Sequence, residues 1–181
     1  MTRVFVDAMT LAALGHVGEL ELLGAFDGTI FVPDSVREQI TTEPPATNLD
    51  RFCQEEGVVA GPVDTEYADE AMQVLGEDAP NGDTRLVEGV LAAVDAAEVE
   101  SVFDDPDEQA VGLITDDRRL RTVGQALGAT VTGTFGVVVR AAAADRYFSA
   151  DQAKRVVRRI DSHGMHLTGE LREQAVGEAE S

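Results

Sequence analysis

Short apolar runs alternate along this chain with longer stretches of helical period. Arg3–Asp7 (RVFVD), Thr29–Val32 (TIFV), Val111–Thr115 (VGLIT) and Ala129–Thr132 (ATVT) are compact and rich in β-branched residues, as strands buried on both faces are. Val58–Val59 predicts at most a short edge strand. Between the strands, leucines at 11, 14, 20, 22 and 23 predict a helical stretch interrupted at Gly15 and Gly18. Pro33 stands where a helix can begin, and Thr42–Asn48 (TEPPATN) reads as a loop. Thr65–Leu75, Gly82–Ala97, Arg118–Leu127 (stopped by Gly128), Phe135–Ala144 and Ala150–Ile160 predict helices, the last opened by the capping-box spacing of Ser149 and Gln152. Glu98–Gln109 reads as an acidic loop, and from Gly164 the pattern fades into an acidic tail. Strands spaced by helices predict an α/β fold, a three-layer α/β/α sandwich around a central parallel sheet.

In such sheets the functional crevice lies beyond the carboxyl ends of the strands, which singles out particular acids. Asp7 closes the first strand, and Asp116 and Asp117 follow VGLIT. On the helix from Gly82, the residues Leu86, Val87, Val90, Leu91 and Val94 form an apolar stripe. At about 100° per residue Asp83 falls near its centre, whereas Glu88 falls well to the side. A carboxylate on a core-facing stripe is costly unless compensated. Carboxylates gathered in one pocket raise each other's pKa unless cations hold them, and magnesium or manganese suits hard oxygen donors. Taken singly, Asp7 and Asp117 read equally well as N-caps, since an Asp between strand and helix is a common cap, and Asp83 as a helix-start residue beside Asn81-Gly82.

Charge changes this picture in one respect. The 181 residues carry 34 Asp plus Glu against 14 Lys plus Arg, a net charge of -20, and Lys154 is the single lysine. Acids spread along the whole chain with lysine nearly absent predict a protein adapted to molar salt, where the Debye length falls to about 3 Å. An acidic surface therefore does not exclude a nucleic-acid substrate, and an acid at any one position carries little weight. A mean hydropathy of -0.08 excludes an ordinary disordered chain. No apolar run approaches the ~20 residues of a membrane span, and MTRVFVD lacks the apolar core of a signal peptide, so a cytoplasmic location is expected. Cys53, the single cysteine, cannot form an internal disulfide. His163 and His166 at i, i+3 read as surface histidines. The arginine groups 118, 119, 121 and 155, 158, 159 read equally as phosphate contacts or as neutralisers of neighbouring acids.

Two segments carry a resemblance. VFVDAMTLAALGHVGELELLGAFDGTIFVPDSVREQI resembles the opening of a PIN domain, and GLITDDRRLRTVGQALGATVTGTFGVVVRAA resembles its closing part in the branch related to VapC-type toxins. The likeness runs from about Val4 to Ala143. Its middle rests on Gly82-Asp83. It implies residues 1–145 as a PIN-like nuclease domain, with 146–181 as a C-terminal helix and acidic tail packed on or extending it. It implies a magnesium- or manganese-dependent endoribonuclease in which metal-activated water attacks an RNA phosphodiester. Asp7, Asp83, Asp116 and Asp117 match the family's acids, with Asp7, Asp83 and Asp117 as metal ligands. Many relatives are toxins with an antitoxin partner, and many form homodimers. The family's glutamate on the helix after the second strand is replaced here by Gln39. On a helix Gln39 lies about 60° from Val36 and 100° from Ile40, beside the buried stripe, whereas Glu38 points toward solvent.

Two other readings compete with the nuclease. One is a non-catalytic PIN-fold module that binds RNA or protein through a weakened metal site, which Gln39 favours. The other is a phosphoacceptor receiver domain, which needs a lysine at a late strand end, whereas Lys154 falls in a predicted helix. The charge balance makes a prediction by itself. As potassium chloride falls from molar to about 0.1 M, the Debye length grows to ~10 Å and like charges meet one another. Circular dichroism should then show the fold weakening, and a signal indifferent to salt would remove the halophilic explanation.

Overall fold

The computed structural model describes residues 2–100, 110–144 and 149–163. Five strands form one all-parallel sheet: β1 (Thr2–Val6), β2 (Gly28–Pro33), β3 (Val58–Gly61), β4 (Val111–Ile114) and β5 (Thr130–Thr132), in the order β3-β2-β1-β4-β5. β1 is central. Val4 is in register with Ile30 on one side and Gly112 on the other. The chain builds outward from β1 through β2 to β3, then crosses back to place β4 on β1's free edge. The order therefore reverses between β1 and β4, the point where such sheets hold their ligands.

Eight helices flank the sheet among the described residues: α1 (Ala8–Val17), α2 (Asp34–Arg37), α3 (Pro45–Phe52), α4 (Ala68–Leu75), α5 (Gly82–Glu100), α6 (Arg118–Ala126), α7 (Thr134–Ala144) and α8 (Ala150–Ser162), with a 3-10 turn over Leu20–Ala25. α5 and α6 cover one sheet face, with α4 outside α5. α1 and α7 cover the other, with α3 and α8 packed against them. The two faces make the expected three-layer α/β/α sandwich. α5 approaches closely because Gly89 has no side chain: a Cβ there would stand 2.6 Å from the Phe5 ring. Phe5 in turn stacks on Phe31 with centroids 5.2 Å apart.

Several expectations need correction. Thr42–Asn48 was expected as a loop, but a helix begins at Pro45, a position that tolerates proline because its missing N–H would be unpaired anyway. Leu49 and Phe52 then anchor it in the core. Gly15 does not interrupt α1. It lets α3 come close, with Pro45 Cα 3.1 Å from where a Cβ would sit, while Gly18 in the left-handed region ends the helix. The short edge strand expected at Val58–Val59 is present and runs on to Gly61, in register with β2 from Ile30 to Pro33. The helix expected over Thr65–Leu75 begins only at Ala68, and α5 runs past Ala97 to Glu100. The expected loop beyond residue 100, the tail from 164 and His166 lie outside the described residues.

α8 forms as its sequence predicts, with the Ser149–Gln152 capping box in place. Its apolar stripe of Ala153, Val156, Val157 and Ile160 is part of the main core, while Arg155 and Arg158 stay exposed. Ile160 is 1% exposed. Truncating such a side chain costs about 2–5 kcal/mol through lost transfer and the cavity left behind. Ile160→Ala should therefore lower the urea midpoint strongly, while Arg158→Ala should stay within about 0.5 kcal/mol of the natural chain. Equal, small effects would mean that α8 is an appendage rather than part of the core.

Candidate active site

Asp7 follows β1 directly and lies 4% exposed at the centre of the sheet's carboxyl edge. Its backbone N–H continues the ladder to Ile114 O at 3.0 Å. One carboxylate oxygen accepts from Thr10 N (2.7 Å) and the other from the Thr115 hydroxyl (2.5 Å). The first bond is the N-cap of α1, so Asp7 does cap. The second ties it to the end of β4. The Thr115 hydroxyl also accepts from Asp117 N at 3.0 Å, and Asp117 caps α6 by accepting from Leu120 N at 2.9 Å. One fully buried threonine thus links the two strand-end acids.

Asp116 faces another way. Its carboxylate accepts from the Thr134 backbone N–H at 3.1 Å and from the Thr134 hydroxyl, receiving the first turn of α7. The Thr134 hydroxyl lies 3.3 Å from that of Thr10, which closes a buried path back toward Asp7. Gly133 is required here, because a Cβ on it would collide with Asp116 Oδ1. Thr10, Thr115 and Thr134 are all 0% exposed. The sequence reading missed these three threonines. The signal available was their placement: three residues after Asp7, directly before the acid pair, and two residues after β5.

Asp83 stands on the first turn of α5, and it is not the cap. Asn81 caps that helix, its side chain accepting from Thr84 N at 2.9 Å while its own N–H donates to the Thr84 hydroxyl at 2.7 Å. The Asp83 carboxylate is thereby left to the site. The stripe reading of this helix needs correction: Asp83 is exposed, and Glu88, expected well to the side, is the buried carboxylate at 1%. A single stripe assumes a single covered face. α5 is covered by the sheet and also by α4 and the segment before it, where Thr65 donates to Glu88 through its N–H (2.6 Å) and hydroxyl (2.9 Å). Arg85 completes the compensation at 2.7 Å.

The position of Gln39 also differs from the helical expectation. α2 ends at Arg37, and Gln39 and Ile40 follow in tight turns, with N–H bonds to Val36 O and Arg37 O. Gln39 and Glu38 are both exposed, and both line an open cleft of about 470 Å³ together with Ser35, Asn81, Gly82 and Asp83. The Gln39 amide donates to Ser35 O at 3.3 Å and lies against Gly82. Glu38 therefore stands in the same cleft and does not point away from it.

The electrostatics join the four acids in two pairs. Burial is the main cause holding the Asp7 carboxyl above the ordinary carboxylate range; bonds from Thr115 and Thr10 oppose it, and the charge of Asp116 adds to it. Asp83 is raised by the protein surrounding its carboxyl and then by the charge of Asp117, with Arg119 opposing and Glu77 adding. Negative charge pushing carboxyls upward is what a cation relieves. The donors are all hard oxygens, and the Ser35 hydroxyl in the cleft is buried without a partner, so charge and donor type fit magnesium or manganese. Among the described residues, no three His, Cys, Asp or Glu side chains stand grouped as a metal site.

The raised carboxyl of Asp7 has a definite sign in stability. Folding favours its protonated form, so its contribution to stability is fully present below the ordinary 3.8 and is lost as pH rises through the elevated folded value. Near neutrality, without divalent ions, Asp7→Asn should melt a few degrees above the natural chain, and the gap should close toward pH 4. Magnesium at constant ionic strength should raise the melting temperature of the natural chain by mass action and leave Asp7→Asn unmoved. Equal response of both proteins to magnesium would place the cation away from Asp7.

No helix among the described residues is long and apolar enough to cross a membrane. Neither a curated protein nor a solved structure matches the chain significantly. The sequence profile of the PIN domain does match, over residues 3–181. That span takes in all five strands, the acids at their carboxyl ends and α8, and the chain belongs to the PIN domain family.

Proposed function

We propose that this chain is a magnesium- or manganese-dependent endoribonuclease that hydrolyses RNA phosphodiester bonds, of the kind that serves as the toxin of a toxin–antitoxin pair. PIN domains are generally nucleases, and the fold is of that type. The observation that carries the reading is that buried Asp7 stands at the carboxyl edge where the strand order reverses, tied through Thr115 to Asp117, with Asp7 and Asp83 both held above the ordinary carboxylate range by burial first and by a neighbouring aspartate charge besides. Asp7, Asp83 and Asp117 would hold the cation. When bound, it supplies charge neutralisation at the phosphate and lowers the pKa of water. The chain's own part is to fix these oxygens. Thr115 and Thr10 orient Asp7, and Asn81 frees Asp83 from capping. Asp116 locks the start of α7 against the site. Glu38 and Gln39 border the cleft through which a strand would reach Asp83. The solvent-facing acids and near absence of lysine support a high-salt cytoplasm as its setting, and an antitoxin and a second copy of the chain are proposed partners.

A second reading is favoured by Gln39, which brings an uncharged amide to the cleft beside Asp83 where the family has a carboxylate. It makes the protein a binding module that holds RNA without cutting it. Cleavage of a fluorescent RNA separates the two. The natural chain should cut weakly and prefer manganese, and Asp117→Asn should reduce the rate at least a hundredfold. Gln39→Glu adds a carboxylate to the cleft and should raise magnesium-supported cleavage about tenfold, ~1.4 kcal/mol. Glu38→Gln should lower it several-fold, since that carboxylate stands in the same cleft. RNA that is bound but left intact by both the natural chain and Gln39→Glu would establish the binding module.

A further inference from the structure

The first turn of α6 carries Arg119 beside the acids, and its guanidinium reaches Glu77 Oε1 at 3.1 Å across 42 residues of sequence. Glu77 follows Gly76, which ends α4 in the left-handed region. Both groups act on Asp83, Arg119 drawing its pKa down and Glu77 pushing it up. Arg119 lies two residues after Asp117, the N-cap of α6, so the pair stands at the rim of the site beside that acid. We propose that Arg119 is the residue that takes an RNA backbone phosphate at this site, and that Glu77 holds it until the phosphate displaces the carboxylate. The inference rests on the nuclease reading and names the cation that lets a polyanion approach these carboxylates.

Three observations carry it. The pair is open to water, with side chains 51% and 35% exposed, and exposed ion pairs are weak, so exchanging one partner costs little. Of the neighbouring arginines, Arg118 is exposed on the same turn, Arg119 is the one whose charge acts on Asp83, and two others are committed elsewhere. Arg121 donates to Thr115 O at 3.0 Å, and Arg85 is held by buried Glu88 at 2.7 Å. A phosphate offers an arginine two parallel hydrogen bonds, which the single contact to Glu77 does not.

The test is fluorescence anisotropy of a fluorescein-labelled oligouridine with calcium present, over a potassium chloride series in which circular dichroism shows each variant folded. Arg119→Gln should weaken binding about tenfold and make the slope of log affinity against log salt shallower by about one. Arg119→Lys should restore the slope. Glu77→Gln should tighten binding several-fold in the natural chain and have little effect when combined with Arg119→Gln, because there is then no guanidinium to release. The proposal is overturned if Glu77→Gln tightens binding equally in both backgrounds, which is the result of removing any nearby negative charge. It is also overturned if Arg119→Gln leaves affinity and slope unchanged while the natural chain binds and cuts RNA, and the nuclease reading then stands without it. A natural chain that neither binds nor cuts RNA in calcium, magnesium or manganese removes both.

Discussion

A carboxylate buried at the end of the central strand governs this structure. Asp7 lies between the two halves of the sheet and is 4% exposed, where an uncompensated charge would be costly. The protein satisfies it with hydrogen-bond donors: the first turn of α1 on one side and the Thr115 hydroxyl on the other. The same hydroxyl accepts the N–H of Asp117, so the start of α6 is fixed by the bond that compensates Asp7. β1, β4, α1 and α6 are in this way referred to one point. A neutral donor lowers the cost of the charge without removing it, and Asp7 stays above the usual carboxylate range. The remaining demand for positive charge is the property that a cation-dependent site requires.

The other acids are arranged around that demand in different ways. Asp116 is turned into the protein and receives α7, which makes it a positioning group for the far wall of the site. Asp83 is released by Asn81, which performs the capping that Asp83 would otherwise supply. Glu88, five residues along the helix from where sequence placed the buried acid, is fully compensated by Thr65 and Arg85. Compensation distinguishes them: the carboxylate with an arginine and two hydroxyl or amide donors serves the fold, and those facing one another keep a reason to bind a cation.

Much of the fold was legible because its strands are short, β-branched and bounded by Asp, Pro or Gly, so periodicity alone placed β1, β2, β4 and β5. Legibility failed where a local rule met a tertiary one. Pro44-Pro45 reads as a break, yet a proline in a first turn loses no helical bond, and Leu49 and Phe52 find a core that the sequence cannot display. Val36 and Ile40 share a helical spacing, but the helix ends at Arg37, and the phase assigned to Glu38 and Gln39 ends with it. Asp7, Asp116 and Asp117 stood out because strand ends in a parallel sheet are chemically privileged. Thr10, Thr115 and Thr134 did not, since a threonine near a strand reads as β-propensity, and its hydroxyl shows its purpose only when the partner 108 or 124 residues away is in place.

Charge on this chain has to be read locally. A net charge of -20 predicts repulsion of any polyanion, yet at physiological salt exposed charges are screened beyond about 8 Å, and what a strand meets at the cleft is set by the few groups within that distance. There Arg119 is bonded to Glu77, and the charges of Asp117, Arg119 and Glu77 all act on Asp83. A divalent ion among the acids would offset the net negative charge of that neighbourhood while leaving the rest of the surface as it is. The same carboxylates that would repel an RNA strand in the bare protein become, with the ion in place, the means of drawing its phosphate in, and the acidity of the surface and the proposed substrate are then compatible.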